Sequence, residues 1–235
     1  MSKSETCLDR IREMAMAFLF LDIKPTKVDF IASHPFTSSW FTAFPTENGI
    51  VNLRDTENAD KWREKVKSNI ETATVKEIFF MLNKPYILSF LKFTERYLSD
   101  DDLGMILGIF WQSIEQISLD NSLSGKEIVK MFKRANKETM MDEDERKIFD
   151  SLPEQVTVYR GVTSYNKRQT KAFSWTTDKQ IAEWFANRFN TGTGEVWTLT
   201  VPKERILCAF EGREKELIVN LYNYKDINQM TVEKV

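Results

Sequence analysis

Val158-Tyr159-Arg160-Gly161, Phe173-Ser174-Trp175-Thr176-Thr177 and Glu214-Lys215-Glu216-Leu217-Ile218-Val219 are the three pieces whose reading decides this chain. Each has strand composition, and each carries a polar residue at or beside its apolar run. Arg160 ends one such run. A guanidinium there suits phosphate oxygens, which it can bond in bidentate fashion, and Gly161 lets a ligand approach the backbone. Ser174 offers a positioning hydroxyl. Glu214 and Glu216 are one residue apart, so on an extended segment their carboxylates point the same way. One could hold a substrate hydroxyl and stabilise developing positive charge; the other could orient or deprotonate an acceptor. Taken singly, each has a plain reading: a surface arginine, a strand serine, a solvated acid pair.

Outward from these pieces, Pro153 marks a change of character. Val156–Tyr159 and residues 171–176 read as strands. Asp178 starts a helix whose apolar residues are Ile181, Ala182, Trp184, Phe185 and Phe189. Asn190–Gly194 is a loop. Val196–Val201 alternates apolar and polar residues, as a half-buried strand does. Ile206–Phe210 and Leu217–Tyr222 read as further strands. Before Pro153 the pattern is helical. Residues 5–21 are amphipathic, with Leu8, Ile11, Ala15 and Phe18 on one face. Residues 26–58, broken by Pro35, Pro45 and Glu47-Asn48-Gly49, read as short helices and loops pinned by Phe30, Phe36, Trp40, Phe41 and Phe44. Ala59–Leu119 is helical, with a break at Thr72-Ala73-Thr74, a helix opened by Pro85, and a start at Ser99-Asp100-Asp101-Asp102 where serine caps and acids suit the helix dipole. Ile106, Ile109, Phe110, Ile114 and Ile117 give that last helix its apolar stripe. Ser124–Glu138 and Asp142–Leu152 are two shorter helices, with Met140-Met141 between them as core filler. The expected fold is α+β: a helical N-terminal region, residues 1–152, packed on a mixed or antiparallel, β-sandwich-like region, residues 153–235, with one shared core.

The 235 residues are 42% hydrophobic and 29% charged, the balance of a soluble globular chain. Net charge is −2, so no overall basic field points to nucleic acid or membrane. Residues 151–235 carry 12 Lys+Arg against 10 Asp+Glu, too small an asymmetry to name a partner. Cys7 and Cys208 lie far apart in no metal-like spacing, which suits a reducing, cytoplasmic compartment. With one histidine, His34, neither a zinc site nor a Ser-His-Asp triad is expected. The apolar run Met14–Ile23 is too short to span a bilayer, which needs roughly 20 residues.

Together, Tyr-Arg-Gly, then Ser-Trp-Thr leading into Ala182-Glu183-Trp184-Phe185-Ala186, then Glu-Lys-Glu before Leu-Ile-Val resemble the arginine–serine–glutamate class of ADP-ribosyltransferases, which includes clostridial mono-ADP-ribosylating toxins. The resemblance covers residues 154–223. It implies an enzyme that takes NAD as substrate, without a metal. Arg160 and Arg188 would contact its phosphates, Gly161 would lie near the nicotinamide amide, and Phe185 or Phe173 would stack on the nicotinamide. Thr176 belongs to the same cofactor-binding set. Ser174 would hold Glu216, and Glu216 would stabilise an oxocarbenium-like transition state. Glu214 would influence acceptor choice, favouring protein arginine over nucleic acid, with Phe210-Glu211-Gly212-Arg213 in the loop that presents the acceptor. Three departures accompany the match: Ser-Trp-Thr replaces the commoner Ser-Thr-Ser, the interval from Arg160 to Ser174 is short, and the place of Glu214 depends on aligning by Glu216. A toxin, a phage-encoded modifier or a defence enzyme, with a regulatory or antitoxin partner, is compatible with such a chain. The alternatives are an NAD glycohydrolase and a non-catalytic interaction protein.

Overall fold

The computed structural model describes residues 3–43, 49–114, 122–167, 169, 171–188, 194–212 and 214–235. Of the residues named above, Phe44, Pro45, Glu47, Asn48, Ile117, Leu119, Phe189, residues 190–193 and Arg213 lie outside this set. The chain divides into two compact units, Met1–Leu123 and Ser124–Val235.

In the first unit, α1 (Leu8–Leu19) buries Ile11, Ala15, Phe18 and Leu19 along one stripe. Five short strands follow: β1 (Lys24–Pro25), β2 (Ile31–His34), β3 (Thr37–Ser39), β4 (Phe41–Ala43) and β5 (Ile50–Asn52). This corrects the expectation of short helices between 26 and 58. The turn residues that break this stretch leave pieces of two to four residues, and these pair as short hydrogen-bonded ladders. β1, β2 and β3 form one antiparallel sheet, and β4 pairs with β5. Helices α2 (Thr56–Thr72), α3 (Val75–Met81), α4 (Ile87–Thr94) and α5 (Asp100–Phe110) complete the unit. The starts of α2, α3 and α5 each have a local cause. Asp55 accepts from Asn58 N–H, Thr74 and Glu77 form a reciprocal capping box, and Ser99 accepts from Asp102 N–H. Each such cap is worth about 1 kcal/mol. Phe18, Phe79 and Phe90 meet edge to face with centroids 5.2 and 5.1 Å apart in the core between these helices.

His34 lies in that core. Its Nε2–H donates to Leu19 O at 3.2 Å and its Nδ1 accepts from Phe36 N–H at 3.1 Å, so the ring is neutral and satisfied on both sides. Burial pushes its pKa below the usual histidine value.

The second unit begins with α6 (Gly125–Arg134), α7 (Lys137–Met140) and α8 (Glu143–Ser151). The unit boundary therefore falls at Leu123/Ser124 rather than at 152/153. Ile128, Met131 and Phe132 form the buried face of α6, Met140 and Met141 are buried, and Met141 Sδ accepts from Ala209 N–H at 3.5 Å. These helices thus share a core with the strands that follow. The strands are β6 (Gln155–Val162), β7 (Ser174–Thr176), β8 (Glu195–Pro202), β9 (Ile206–Phe210), β10 (Glu216–Val219) and β11 (Thr231–Lys234), with α9 (Lys179–Asn187) after β7. They form one six-stranded sheet in the order β11-β8-β6-β7-β10-β9, antiparallel at every pairing. Its two three-stranded halves, β11-β8-β6 and β7-β10-β9, are joined at β6 and β7 through a single Cα pair, Tyr159–Thr176.

Among the described residues no helix is long and apolar enough to cross a membrane. Both cysteines are free, Cys7 exposed and Cys208 buried.

Candidate functional site

The three motif strands are remote in sequence and adjacent in the sheet: β6, β7 and β10 lie side by side. One row of paired residues runs across all six strands, Thr231–Thr198–Tyr159–Thr176–Glu216–Phe210. Residues paired this way share a face. Glu216 thus sits opposite Thr176, while Ser174 pairs with Ile218. The hydroxyl facing Glu216 directly across the ladder is that of Thr176, not of Ser174. Thr176 Oγ1 also accepts from Asp178 N–H at 3.1 Å, which turns the chain into α9.

β6 pairs with β8 along its whole length, whereas its pairing with β7 is the single pair Tyr159–Thr176. Beyond it the strands part. Arg160 is the first residue on the open side. Its Nη1–H donates to the carbonyl of Ser174 at 2.5 Å, and its Nε is enclosed with no hydrogen-bond partner among the described residues. Burial lowers the guanidinium pKa to about 10, and the nearby Glu216 carboxylate opposes that shift. Arg160, Ser174 and Glu216 therefore come together, though Ser174 contributes its backbone oxygen. Glu216 itself is buried at 7% exposure. A buried carboxylate whose charge reaches a half-buried guanidinium suits an anionic ligand carrying hydroxyl groups.

Trp175, the bulky departure within the central motif, alternates with Ser174 and Thr176 along β7. It is 2% exposed, and its Nε1–H donates to Ala172 O at 2.8 Å. It fills the core and leaves both neighbouring hydroxyl residues on the other face.

Gly161 receives a different reason from the one expected. A Cβ built there would lie 2.2 Å from Ala182 O and 2.6 Å from Phe185 Cβ. The close neighbour is α9, so the missing side chain admits a helix. Phe185 stands beside that contact, edge to face with Trp184 at 4.9 Å, and the Arg188 guanidinium lies 5.6 Å from its ring centroid. Arg188 and Trp184 are exposed. Phe173 is buried at 9% exposure.

The expectation that Glu214 and Glu216 share one side of an extended segment is corrected. β10 begins at Glu216, and Lys215 has φ 42, in the left-handed region. Lys215 N–H closes a turn onto Gly212 O at 3.0 Å. The period-two alternation of a strand does not reach back to Glu214. Glu214 is exposed, Glu216 is buried, and Lys215 Nζ lies 3.0 Å from Asp178 Oδ2.

Sequence reasoning passed over a second buried acid. Glu195, 6% exposed, heads the buried face of β8, where Trp197, Leu199 and Val201 follow at every second position. It pairs with Lys167, and its Oε2 accepts from Trp197 Nε1–H at 3.1 Å. The Lys167 hydrogen bond, aided by Trp197, holds its carboxyl below the usual range. Its signal was the alternation itself, which begins one residue earlier than the apolar run. Among the described residues no group of three His, Cys, Asp or Glu could hold a metal ion.

Comparison with protein-family models, with curated proteins and with solved structures gave no match. The functional reading therefore rests on the site itself.

Proposed function

We propose that this chain is a mono-ADP-ribosyltransferase. It cleaves NAD at the bond between nicotinamide and ribose and transfers ADP-ribose to a macromolecular acceptor, protein arginine being favoured over nucleic acid. One observation carries the reading: a sheet order that sets β6, β7 and β10 side by side brings Arg160, Ser174 and Glu216 to one place.

In this reading the half-buried Arg160 guanidinium, with Arg188 outside, meets the diphosphate. The Glu216 carboxylate accepts a hydrogen bond from a ribose hydroxyl. It also opposes the positive charge that grows on C1′ as nicotinamide leaves with the bonding electron pair. The acceptor nucleophile then bonds to C1′, and its proton passes to Glu214 or to solvent. Thr176 and Ser174 support Glu216 from the neighbouring strand, Gly161 seats α9, and Phe185 offers a partly exposed ring beside Gly161.

A second reading has its own support. Arg160 already donates to Ser174 O and lies close enough to Glu216 to feel its charge, as a structural cross-link between the halves of the sheet would. The two readings separate with NAD labelled in its adenylate phosphate. Label carried onto protein or nucleic acid supports transfer. Free ADP-ribose alone supports hydrolysis. Neither product, together with no rise in melting temperature at saturating NAD, supports the structural cross-link.

A further inference from the structure

The segment between β9 and β10 is tied at both ends by side chains from elsewhere in its unit. At the near end Glu211 N–H donates to Glu145 Oε1 at 3.1 Å, while Glu145 Oε2 accepts from Asp142 N–H at 2.9 Å. One carboxylate thus closes the first turn of α8 and fastens the exit of β9 to it. At the far end Lys215 Nζ meets Asp178 Oδ2 at 3.0 Å, and Asp178 Oδ1 accepts from Gln180 N–H at 3.0 Å. One carboxylate again does two things: it caps α9 and holds the turn before β10. Lys215 keeps a left-handed backbone, φ 42, which a non-glycine residue adopts only where its surroundings hold it. That residue separates an exposed Glu214 from a buried Glu216.

Building on the transferase reading, we infer that Glu145 and Asp178 are positioning residues that hold Glu214 towards the macromolecular acceptor, separately from the cleavage step at Glu216. Cleavage needs Glu216, whose place is fixed by the ladder to β7 and β9. The fate of the ADP-ribosyl group needs the turn. With Glu214 held outward, C1′ bonds to an acceptor nucleophile whose proton Glu214 receives. With the turn loosened, C1′ bonds to water oxygen more often, and free ADP-ribose forms. Nicotinamide leaves with the same electron pair in both cases.

The variants can be chosen to spare the fold. Asp178→Asn keeps a good N-cap for α9 and removes the charge that holds Lys215. Glu145→Gln keeps an acceptor oxygen and the capping box, whereas Glu145→Ala loses both. Each chain, parent or variant, is incubated with adenylate-labelled NAD in a cell lysate, with Glu216→Gln as the blank. The readout is label on macromolecules relative to free ADP-ribose, beside total nicotinamide release. Asp178→Asn and Glu145→Ala should each lower the ratio about fivefold, the factor an exposed ion pair or hydrogen bond can supply. Total release should stay within about twofold of the parent, and Glu145→Gln should keep the parent's ratio. An unchanged ratio, with Glu216-dependent release intact, overturns the inference alone. So does a fall in release at constant ratio, which marks a merely structural role. A parent that releases nicotinamide but labels no macromolecule overturns it in favour of hydrolysis. A parent with no Glu216-dependent release overturns the transferase reading and this inference with it.

Discussion

Replacing Glu216 with Gln removes a negative charge beside Arg160, and the cost should be measurable in stability as well as in activity. Burial holds the Arg160 guanidinium at about 10, well below the free side chain, even with Glu216 opposing the shift. That difference corresponds to roughly 3 kcal/mol against the charged form. The cation is the folded state's burden at every pH below about 10, and the burden lifts only as pH rises from there towards the range of the free side chain. Taking away the Glu216 charge deepens it. Breaking a fully buried pair costs about 3–5 kcal/mol. Arg160 keeps the Ser174 carbonyl and part of its exposure, so about 2 kcal/mol is the expected loss. In a unit the size of Ser124–Val235 this lowers the melting temperature by roughly 5–10 °C. Urea denaturation of the parent, Glu216→Gln, Arg160→Met and the double variant measures it. The double variant should be more stable than the sum of the two losses by about 2 kcal/mol, because no cation is left to compensate. Additive losses would show that the two side chains do not interact and would remove the electrostatic basis of the site.

Gly161→Ala should cost about 2–3 kcal/mol, because its Cβ meets the backbone of α9 rather than a movable side chain; thermal unfolding with no loss would contradict the close helix contact. Glu195→Gln should cost about 2 kcal/mol by weakening a charge-assisted pair with Lys167 and Trp197. Since the folded Glu195 pKa is lowered, its contribution is present above about pH 4 and is lost as pH falls through the folded value, so the variant should show a flatter acid limb in a stability–pH curve. His34 has a lowered folded pKa, so its contribution is full above about pH 6.5 and declines as pH falls from there. As the chain's only histidine, it should give one imidazole signal by NMR, protonated at Nε2 and neutral at pH 6.5; half-protonation at or above that pH would refute its burial.

Legibility in the sequence followed the range of the interactions involved. Helix starts at Ser99, Ser124, Asp142 and Asp178 were readable because a cap acts over three residues. The strands at Val156, Val196 and Ile206 were readable from composition and alternation. Residues 26–58 were not: aromatic density gave apolar surface without a period, and the strands there are only three or four residues long. At the site, the residue types were legible but the register was not. Whether Ser174 or Thr176 faces Glu216 depends on how β7 pairs with β10, a contact across some forty residues that no local pattern encodes. The left-handed Lys215 was equally hidden, since nothing in Glu-Lys-Glu announces a turn held by Asp178. Gly161 in the sequence suggests room for a ligand, because the helix that fills that room lies about twenty residues further on.

Nicotinamide release from NAD, measured for the parent and for Glu216→Gln under conditions where the variant is shown by circular dichroism to be folded, tests the central claim most directly. Steady release by the parent, with a loss on the order of 100-fold or more in the variant, is the expected result for a group that stabilises transition-state charge. Equal rates in the two proteins, or no release from either, would contradict it.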